Sequence, residues 1–166
     1  IFYVSTEESP IERHIYKHNL KTGKREKLSK EEGVHNAMLS ASGKYVCDIY
    51  TSQNNPGKAG VTDTKTNKTY IFHTAKKPYK NVELPEITLG SLKANDNSTD
   101  LYYRIVKPLN FDPNKKYPVI VYVYGGPHSQ LVDNSWLGQA RGWDVYMAEK
   151  GYIVFTIDNR GTSYRG

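Results

Sequence analysis

Two short stretches hold the residues of this sequence best suited to chemistry. In the first, six β-branched or aromatic residues without charge, Val119 to Tyr124, run into Gly125, Gly126 and Pro127. Such a run reads as a strand that stops at a turn and delivers a tyrosine to its very end. A phenol, with an ordinary pKa of about 10, stays protonated at neutral pH and can donate a hydrogen bond to a polarised oxygen. Two glycines allow a sharp turn and keep side chains away from whatever binds there. Strand-end tyrosines also pack against their neighbours in many sheets, so these residues alone leave Tyr124 between a donor role and a packing role. Tyr122 lies on the same strand face but mid-strand, which suits a core position. The second stretch, Asp158-Asn159-Arg160-Gly161, ends another largely apolar run. Asp158 and Arg160 can hold loop ends through charge-assisted hydrogen bonds, and Gly161 permits an unusual backbone angle. These three read as scaffold.

Other reactive types are scattered. Cys47 is the only cysteine, within "KYVCDIY", where a small buried strand residue is expected; no internal disulfide can form and the redox compartment stays undecided. His14, His18, His35 and His73 fall in the strand-rich first half, with surface or strand roles expected, and His128 follows Tyr124 closely. No His, Cys, Asp or Glu spacing suggests a metal site, and no cofactor motif is present. Nor is there a Gly-x-Ser-x-Gly elbow for a nucleophilic serine; "GTSYRG" at 161–166 comes nearest, with one residue too many before its second glycine.

The elements that must position these residues follow from pattern. The chain has 166 residues with 37% apolar and 12% aromatic content, which suits a globular protein of one domain or pieces of two. Fourteen tyrosines against four phenylalanines point to β-rich structure with half-wet surfaces. The formal net charge of +6 raises nucleic acid as a partner, but the lysines sit in turns such as "KTGKREK" and "TKTNK", as solvated hairpin tips do, and nucleic acid is not expected. No run of about 18 apolar residues exists to span a membrane. The first residues, "IFYVST", lack the layout of a signal peptide and read as mid-strand, so the chain is expected to be a fragment.

"NLKTGK" at 19–24 returns as "DTKTNK" at 63–68, a shift of 44 residues, and "YV" at 3–4 returns at 45–46, a shift of 42. Each copy joins short alternating runs through polar turns. Strands are expected at 2–6, 13–20 and 25–29 in the first copy, and at 35–40, 44–51, 59–64 and 68–73 in the second. Four strands in about 40 residues is the period of a propeller blade, although an ordinary antiparallel meander has the same hairpins. "KKPYKNVELPE" (76–86) reads as a linker. Beyond it, strands at 87–94 and 101–107 flank the turn "NDNST", a strand covers 118–124, a helix 138–150, and a strand 152–158. Trp143, Tyr146 and Met147 share one helical face, and Gly151 is placed as a C′ glycine. Strand, helix and apolar strand argue a βαβ unit in a sheet covered on both faces.

"KKYPVIVYVYGGPHSQ", followed about 25 residues later by "FTIDNRGTSYRG", closely resembles the prolyl oligopeptidase family of serine peptidases. It looks most like the dipeptidyl peptidase IV branch and its bacterial relatives, including prolyl tripeptidyl peptidases. The resemblance is tight from about 115 onward and loose before it. It implies all-β propeller blades over 1–82, followed by the first part of an α/β-hydrolase domain over 83–166, in a fragment of a two-domain protein. It also implies that Tyr124 donates to the oxyanion, with Gly125, Gly126 and Pro127 as the loop that aims it and Asp158, Arg160 and Gly161 as scaffold nearby. The neighbours of His128 then match that loop, not the general base.

The family's serine, aspartate and histidine are not found here, so the 166-residue chain alone is expected to be inactive. The implied parent is a serine exopeptidase releasing short N-terminal peptides after proline, with peptide substrates, no cofactor and scope for a homodimer. By analogy it would be periplasmic or at the cell surface. A non-catalytic peptide-binding relative and an acylaminoacyl-peptidase or oligopeptidase share the architecture and stay open. "NKT" (67–69) and "NST" (97–99) fit the glycosylation sequon.

Overall fold

A computed structural model describes residues 1–79 and 81–164, so Lys80 in the expected linker and Arg165 and Gly166 at the end of "GTSYRG" lie outside the described residues. Strands dominate, arranged in three sheets, and the chain divides into two compact units. The first comprises Ile1–Lys77 with Asn134–Trp136; the second runs from Pro78 to Asp133 and resumes at Leu137.

The first unit holds two antiparallel sheets. One has three strands in chain order, β1 (Phe2–Ser5), β2 (His14–His18) and β3 (Arg25–Lys27). The other has four, β4 (Val34–Leu39), β5 (Tyr45–Ser52), β6 (Asn55–Asp63) and β7 (Thr69–Thr74), also in chain order. The internal repeat has a physical basis in its turns. Asn19 Oδ1 accepts from the amides of Lys21 and Thr22, and Asp63 Oδ1 from those of Lys65 and Thr66. The fifth residue of each copy is left-handed, Gly23 at φ +69° and Asn67 at +56°, and donates its amide to the first residue's carbonyl. Gly and Asn are the types that tolerate that angle. The Asp63 carboxyl is held below the usual range by the backbone amides of Thr66 and Lys65.

Ile15, Leu28 and Val46 form the apolar core of this unit, with Phe2 and Ala37 packed on it. Beside it lies a polar layer. His14 and His35, expected at the surface or in ordinary strand roles, are 0% and 2% exposed. Burial is possible because both ring nitrogens of each are engaged: His14 with Ser29 Oγ and Glu12, His35 with Asp48 and the Glu31 carbonyl. His35 also stacks on Tyr50, with His14 on its other flank at 5.5 Å.

The second unit holds a mixed sheet of β8 (Ile87–Lys93), β9 (Asp100–Val106), β10 (Val119–Tyr122) and β11 (Ile153–Ile157), in the order β10-β11-β9-β8. β8 and β9 form a hairpin whose turn is closed by Asp96, which accepts from the amides of Ser98 and Thr99. β10 and β11 are parallel, and the helix α1 (Gly142–Glu149) lies on the connection between them. α1 packs through Ala148 and Met147 onto Val106 and Val154. Gly151 follows at φ +86°, its amide bonded to the Ala148 carbonyl, as a C′ glycine should be.

Three expectations need correction. The helix begins at Gly142, not 138, because Leu137, Gly138 and Gln139 are all left-handed, at φ +56°, +57° and +65°. Its inward face is Asp144, Met147 and Ala148, one residue on from the face that included Trp143 and Tyr146, both 52% exposed. β10 stops at Tyr122, and it is not covered on both faces: α1 lies on one side, whereas Val119 and Val121 on the other are 54% and 62% exposed. The α/β pattern among the described residues consists of β10, α1 and β11, and the sheets of the first unit do not close into a ring.

The His35 contacts set a pH dependence. Burial pulls its pKa down, but the hydrogen bond and charge of Asp48 outweigh that, and the net direction is upward from 6.5. A raised folded-state value stabilises fully below the unfolded pKa of about 6.5, and that contribution fades as pH rises through the folded value. The first unit should therefore unfold at lower denaturant at pH 8 than at pH 6, and His35→Gln should flatten the difference. Identical slopes for wild type and variant would refute this.

Candidate functional site

The candidate site is built on the carboxyl ends of the two parallel strands. Tyr124 sits two residues past β10 and is 56% exposed. Gly125 turns the chain at φ +72° in open space. Gly126 has a different reason to lack a side chain: a Cβ there would stand 2.7 Å from Tyr124 Cε1. The ring lies against the backbone of its own loop, and any residue larger than glycine would displace it.

The turn after β11 secures this loop. The His128 amide donates to the Gly161 carbonyl at 3.2 Å, and Asn159 Nδ2 donates to the Gly126 carbonyl at 3.4 Å. Thr162 Oγ1 donates to Asn159 Oδ1 at 3.1 Å, which orients the amide. Gly161 has no left-handed angle, so the unusual backbone angle expected of it is not found; it lies beside Pro127, where a Cβ would make only ordinary contact at 3.7 Å from Pro127 Cα. The two stretches singled out in the sequence are thus brought together, and Asn159, overlooked there, is a direct link.

Asp158 and Arg160 hold different parts. Asp158 is 3% exposed and its carboxylate accepts from the amides of Leu131, at 2.9 Å, and Val132, at 3.0 Å. It fixes the continuation of the tyrosine loop. Arg160 points elsewhere and pairs with Asp96 of the β8–β9 turn at 2.8 Å. The amide and hydroxyl of Thr99 and the Ser98 amide hold the Asp96 carboxyl well below the usual carboxylate range, with Arg160 adding to the effect. The loop from His128 to Trp136 is divided: Leu131 and Val132 hang on Asp158, whereas Asn134 belongs with the first unit and donates to Glu12 Oε1 at 2.7 Å.

Sequence reasoning missed Arg104. This β9 residue is 1% exposed. Its Nη1 donates to the carbonyls of Leu131 and Gly138 at 2.9 and 2.6 Å. Its Nη2 donates to Asp144 Oδ2 and Thr156 Oγ1 at 3.3 and 3.1 Å. Burial pushes the guanidinium pKa down, and Asp144 opposes that. Tyr122 faces a cavity of about 250 Å³ shared with Arg104, Leu131, Gln139 and Arg141, and the Arg141 guanidinium covers its ring at 4.6 Å. Tyr122 is therefore a half-buried wall under a cation, not a dry core residue.

Two features of the first unit are chemically conspicuous but lie apart from the tyrosine loop in the chain. Glu8, Glu12 and His14 bring ligand-type atoms within 4.8 Å of one another. Lys27 and Tyr16 already engage Glu8, Asn134 engages Glu12, and Ser29 engages His14, so the group reads as an ion-paired interior. A cavity of about 510 Å³ is bordered by Ser29, Asp48, Tyr50, Lys58 and Lys68, of mixed charge; Ser29 there is buried, its hydroxyl against the His14 ring at 3.0 Å and accepting the Ile15 amide.

Comparison with known proteins places these features in context. Residues 1–57 match the family described as the dipeptidyl peptidase IV (DPP IV) N-terminal region. Dipeptidyl peptidase 8 of Mus musculus is 29% identical across the whole chain, which spans 20% of that relative. A probable dipeptidyl-aminopeptidase B of Botryotinia fuckeliana is 32% identical, again across the whole chain and over 18% of its own length. Among solved structures, a putative dipeptidyl aminopeptidase IV from Bacteroides ovatus aligns with a TM-score of 0.86 at 49% identity, covering 93% of this chain and 22% of that one. Porphyromonas gingivalis dipeptidyl peptidase 4 aligns at 0.87 with 33% identity, covering 97% and 23%. The chain spans about a fifth of the length of these relatives.

Asp158 should be a stability determinant whatever the site does. In Asp158→Asn one amide N–H₂ must face the backbone N–H of Leu131 or Val132, leaving a buried donor unsatisfied. Such a loss costs about 1–3 kcal/mol, measurable by denaturant unfolding. A change below about 0.5 kcal/mol, the usual scatter of surface substitutions, would refute the anchoring role.

Proposed function

We propose that this chain, dipeptidyl peptidase IV-like along its whole length, is part of a longer serine exopeptidase that removes short peptides from the amino terminus of its substrates after proline. On this reading the first unit belongs to a β-propeller and the second begins an α/β-hydrolase domain. Tyr124 supplies a donor to the oxyanion of the tetrahedral intermediate.

The observation that carries the reading is the setting of Tyr124: an exposed phenol at the carboxyl end of a parallel strand, over a glycine that leaves its ring room. In open α/β sheets ligands bind at the carboxyl ends of the strands, and in α/β-hydrolases the loop after such a strand contributes to the oxyanion hole. Gly125 and Gly126 shape that loop, Pro127 packs it against Gly161, and Asn159 tethers it.

The chemistry divides accordingly. A serine oxygen attacks the scissile carbonyl, its proton passes to a histidine, and negative charge grows on the carbonyl oxygen. Tyr124 would meet that charge with its O–H, a contact stronger in the transition state than in the bound substrate. The serine and histidine of this reaction are not among the motifs of the 166 residues, and Tyr124 cannot stand in for them.

In the longer enzyme, Tyr124→Phe should lower kcat by about two to three orders of magnitude with much less change in KM. An unchanged kcat would retire the donor role. The 166-residue chain by itself should neither turn over a Gly-Pro or Ala-Ala-Pro chromogenic substrate nor react with a fluorophosphonate. Covalent labelling of the pure chain would reveal a nucleophile that this reading lacks.

A further inference from the structure

The tyrosine loop is fixed at its near end by the turn after β11, but that turn is itself only the end of a strand. What fixes both is found by following the hydrogen bonds inward. Asp158, the first residue after β11, holds the amides of Leu131 and Val132. The carbonyl of the same Leu131 is held by Arg104. Leu131 is thus gripped from both sides of its backbone, by a carboxylate on one and a guanidinium on the other. Arg104 then reaches three further elements: Gly138 in the left-handed turn, Asp144 in the first turn of α1, and Thr156 on β11.

We propose that Arg104 is a positioning residue for the Tyr124 loop, acting through the Leu131–Asp158 link and the 137–139 turn. This rests on the reading of Tyr124 as oxyanion donor and adds a residue to it. The left-handed run needs an external hold: Leu137 and Gln139 occupy angles that are strained for a non-glycine residue. The short Nη1 bond to the Gly138 carbonyl lies at the centre of that run. Gly138 is left-handed at φ +57°, and a Cβ there would press on Leu89, 2.7 Å from its Cδ2. Asp144 completes the arrangement, because the oxygen that faces Arg104 also accepts the Arg141 amide at 2.8 Å and so starts α1.

A guanidinium is required by geometry. Two carbonyls on one nitrogen and a carboxylate plus a hydroxyl on the other match a planar fork; a lysine ammonium presents a single point from a flexible stem. A positioning role differs from a merely structural one in its consequence for rate. Loosening the loop by a fraction of an ångström weakens a donor aimed at the transition state while leaving ground-state binding nearly untouched.

The experiment uses the longer enzyme with Arg104→Lys, Tyr124→Phe and the double variant, read by steady-state kinetics and by amide hydrogen exchange. Arg104→Lys is expected to lower kcat about tenfold with KM within twofold, and to speed exchange of the amides between 124 and 139 at least severalfold. In the Tyr124→Phe background the same substitution should cost less than twofold further, since the donor it positions is gone. Unchanged exchange in that segment, or an equal tenfold loss in both backgrounds, overturns the proposal while leaving the donor reading intact. Tyr124→Phe with unchanged kcat overturns the donor reading and this proposal with it. Should Arg104→Lys fail to fold, Asp144→Asn removes the charge partner while keeping its shape, and the same outcomes are decided on it.

Discussion

A charge buried in a sheet constrains everything around it, and in the second unit that charge is Arg104. A guanidinium removed from water is tolerated only when its donors find acceptors, and taking away one partner leaves an uncompensated ion. Four oxygens from four separate segments meet this demand for Nη1 and Nη2, while Nε is buried without a partner among the described residues. The demand also fixes register. Arg104 stands opposite Leu89 on one side and Thr156 on the other, on the face that two residues later carries Val106 into the apolar core. A slip of one residue would send both the arginine and the valine to the wrong side of the sheet. Core and charge thus enforce the same pairing.

The first unit solves a related problem with histidines. Its apolar core is small, and the space beside it is occupied by His14 and His35, with Ser29 serving both the His14 ring and the Ile15 amide. Such a layer is costly when partly satisfied and rigid when complete. Its rigidity extends to the segment Asn134–Trp136, where Asn134 donates to the same Glu12 that binds His14, and accepts from the Gln53 amide. Among the scattered lysines, Lys27 pairs with Glu8, Lys17 donates to the Thr64 carbonyl, and Lys58 lies over the Tyr50 ring that stacks on His35.

Most of the strand plan was legible because it rests on local rules: alternation, and turns whose Asn, Asp and Gly positions recur from copy to copy. The loop chemistry of Gly125 and Gly126 was legible for the same reason. What escaped depends on partners distant in sequence. Arg104 lies in "LYYRIV", where both faces are otherwise apolar, so a single charge in that alternation was the available signal of a buried ion pair. Its partner Asp144 occupies the inward position of α1, and because it is polar, periodicity shifted the inferred face by one residue to Trp143, Tyr146 and Met147. His14 and His35 lie in strands, as one of the two expected roles had it, but their burial was not legible: a histidine that engages both ring nitrogens can be buried, and only the fold reveals the acceptors. β10 ends at Tyr122, and nothing local in the apolar run from Val119 to Tyr124 marks that end.

An oxyanion donor needs two things, aim and a dry setting, and the chain supplies them unequally. On the proposed reading, aim comes from the glycine under the ring, the Asn159 tether and the Asp158 anchor, with Arg104 behind them. Dryness does not come from the described residues, since Tyr124 is 56% exposed. A hydrogen bond to developing charge stabilises far more in a water-excluded site than in solvent, where water competes for the same oxygen. On the proposed reading, then, catalytic strength cannot reside in the tyrosine loop alone. Whatever covers Tyr124 in the working enzyme must exclude water without pushing the ring toward Gly126, because the loop has no room on that side. On the proposed reading, substrate and cover meet the phenol on its exposed side, since the ring already lies against Gly126 on the other.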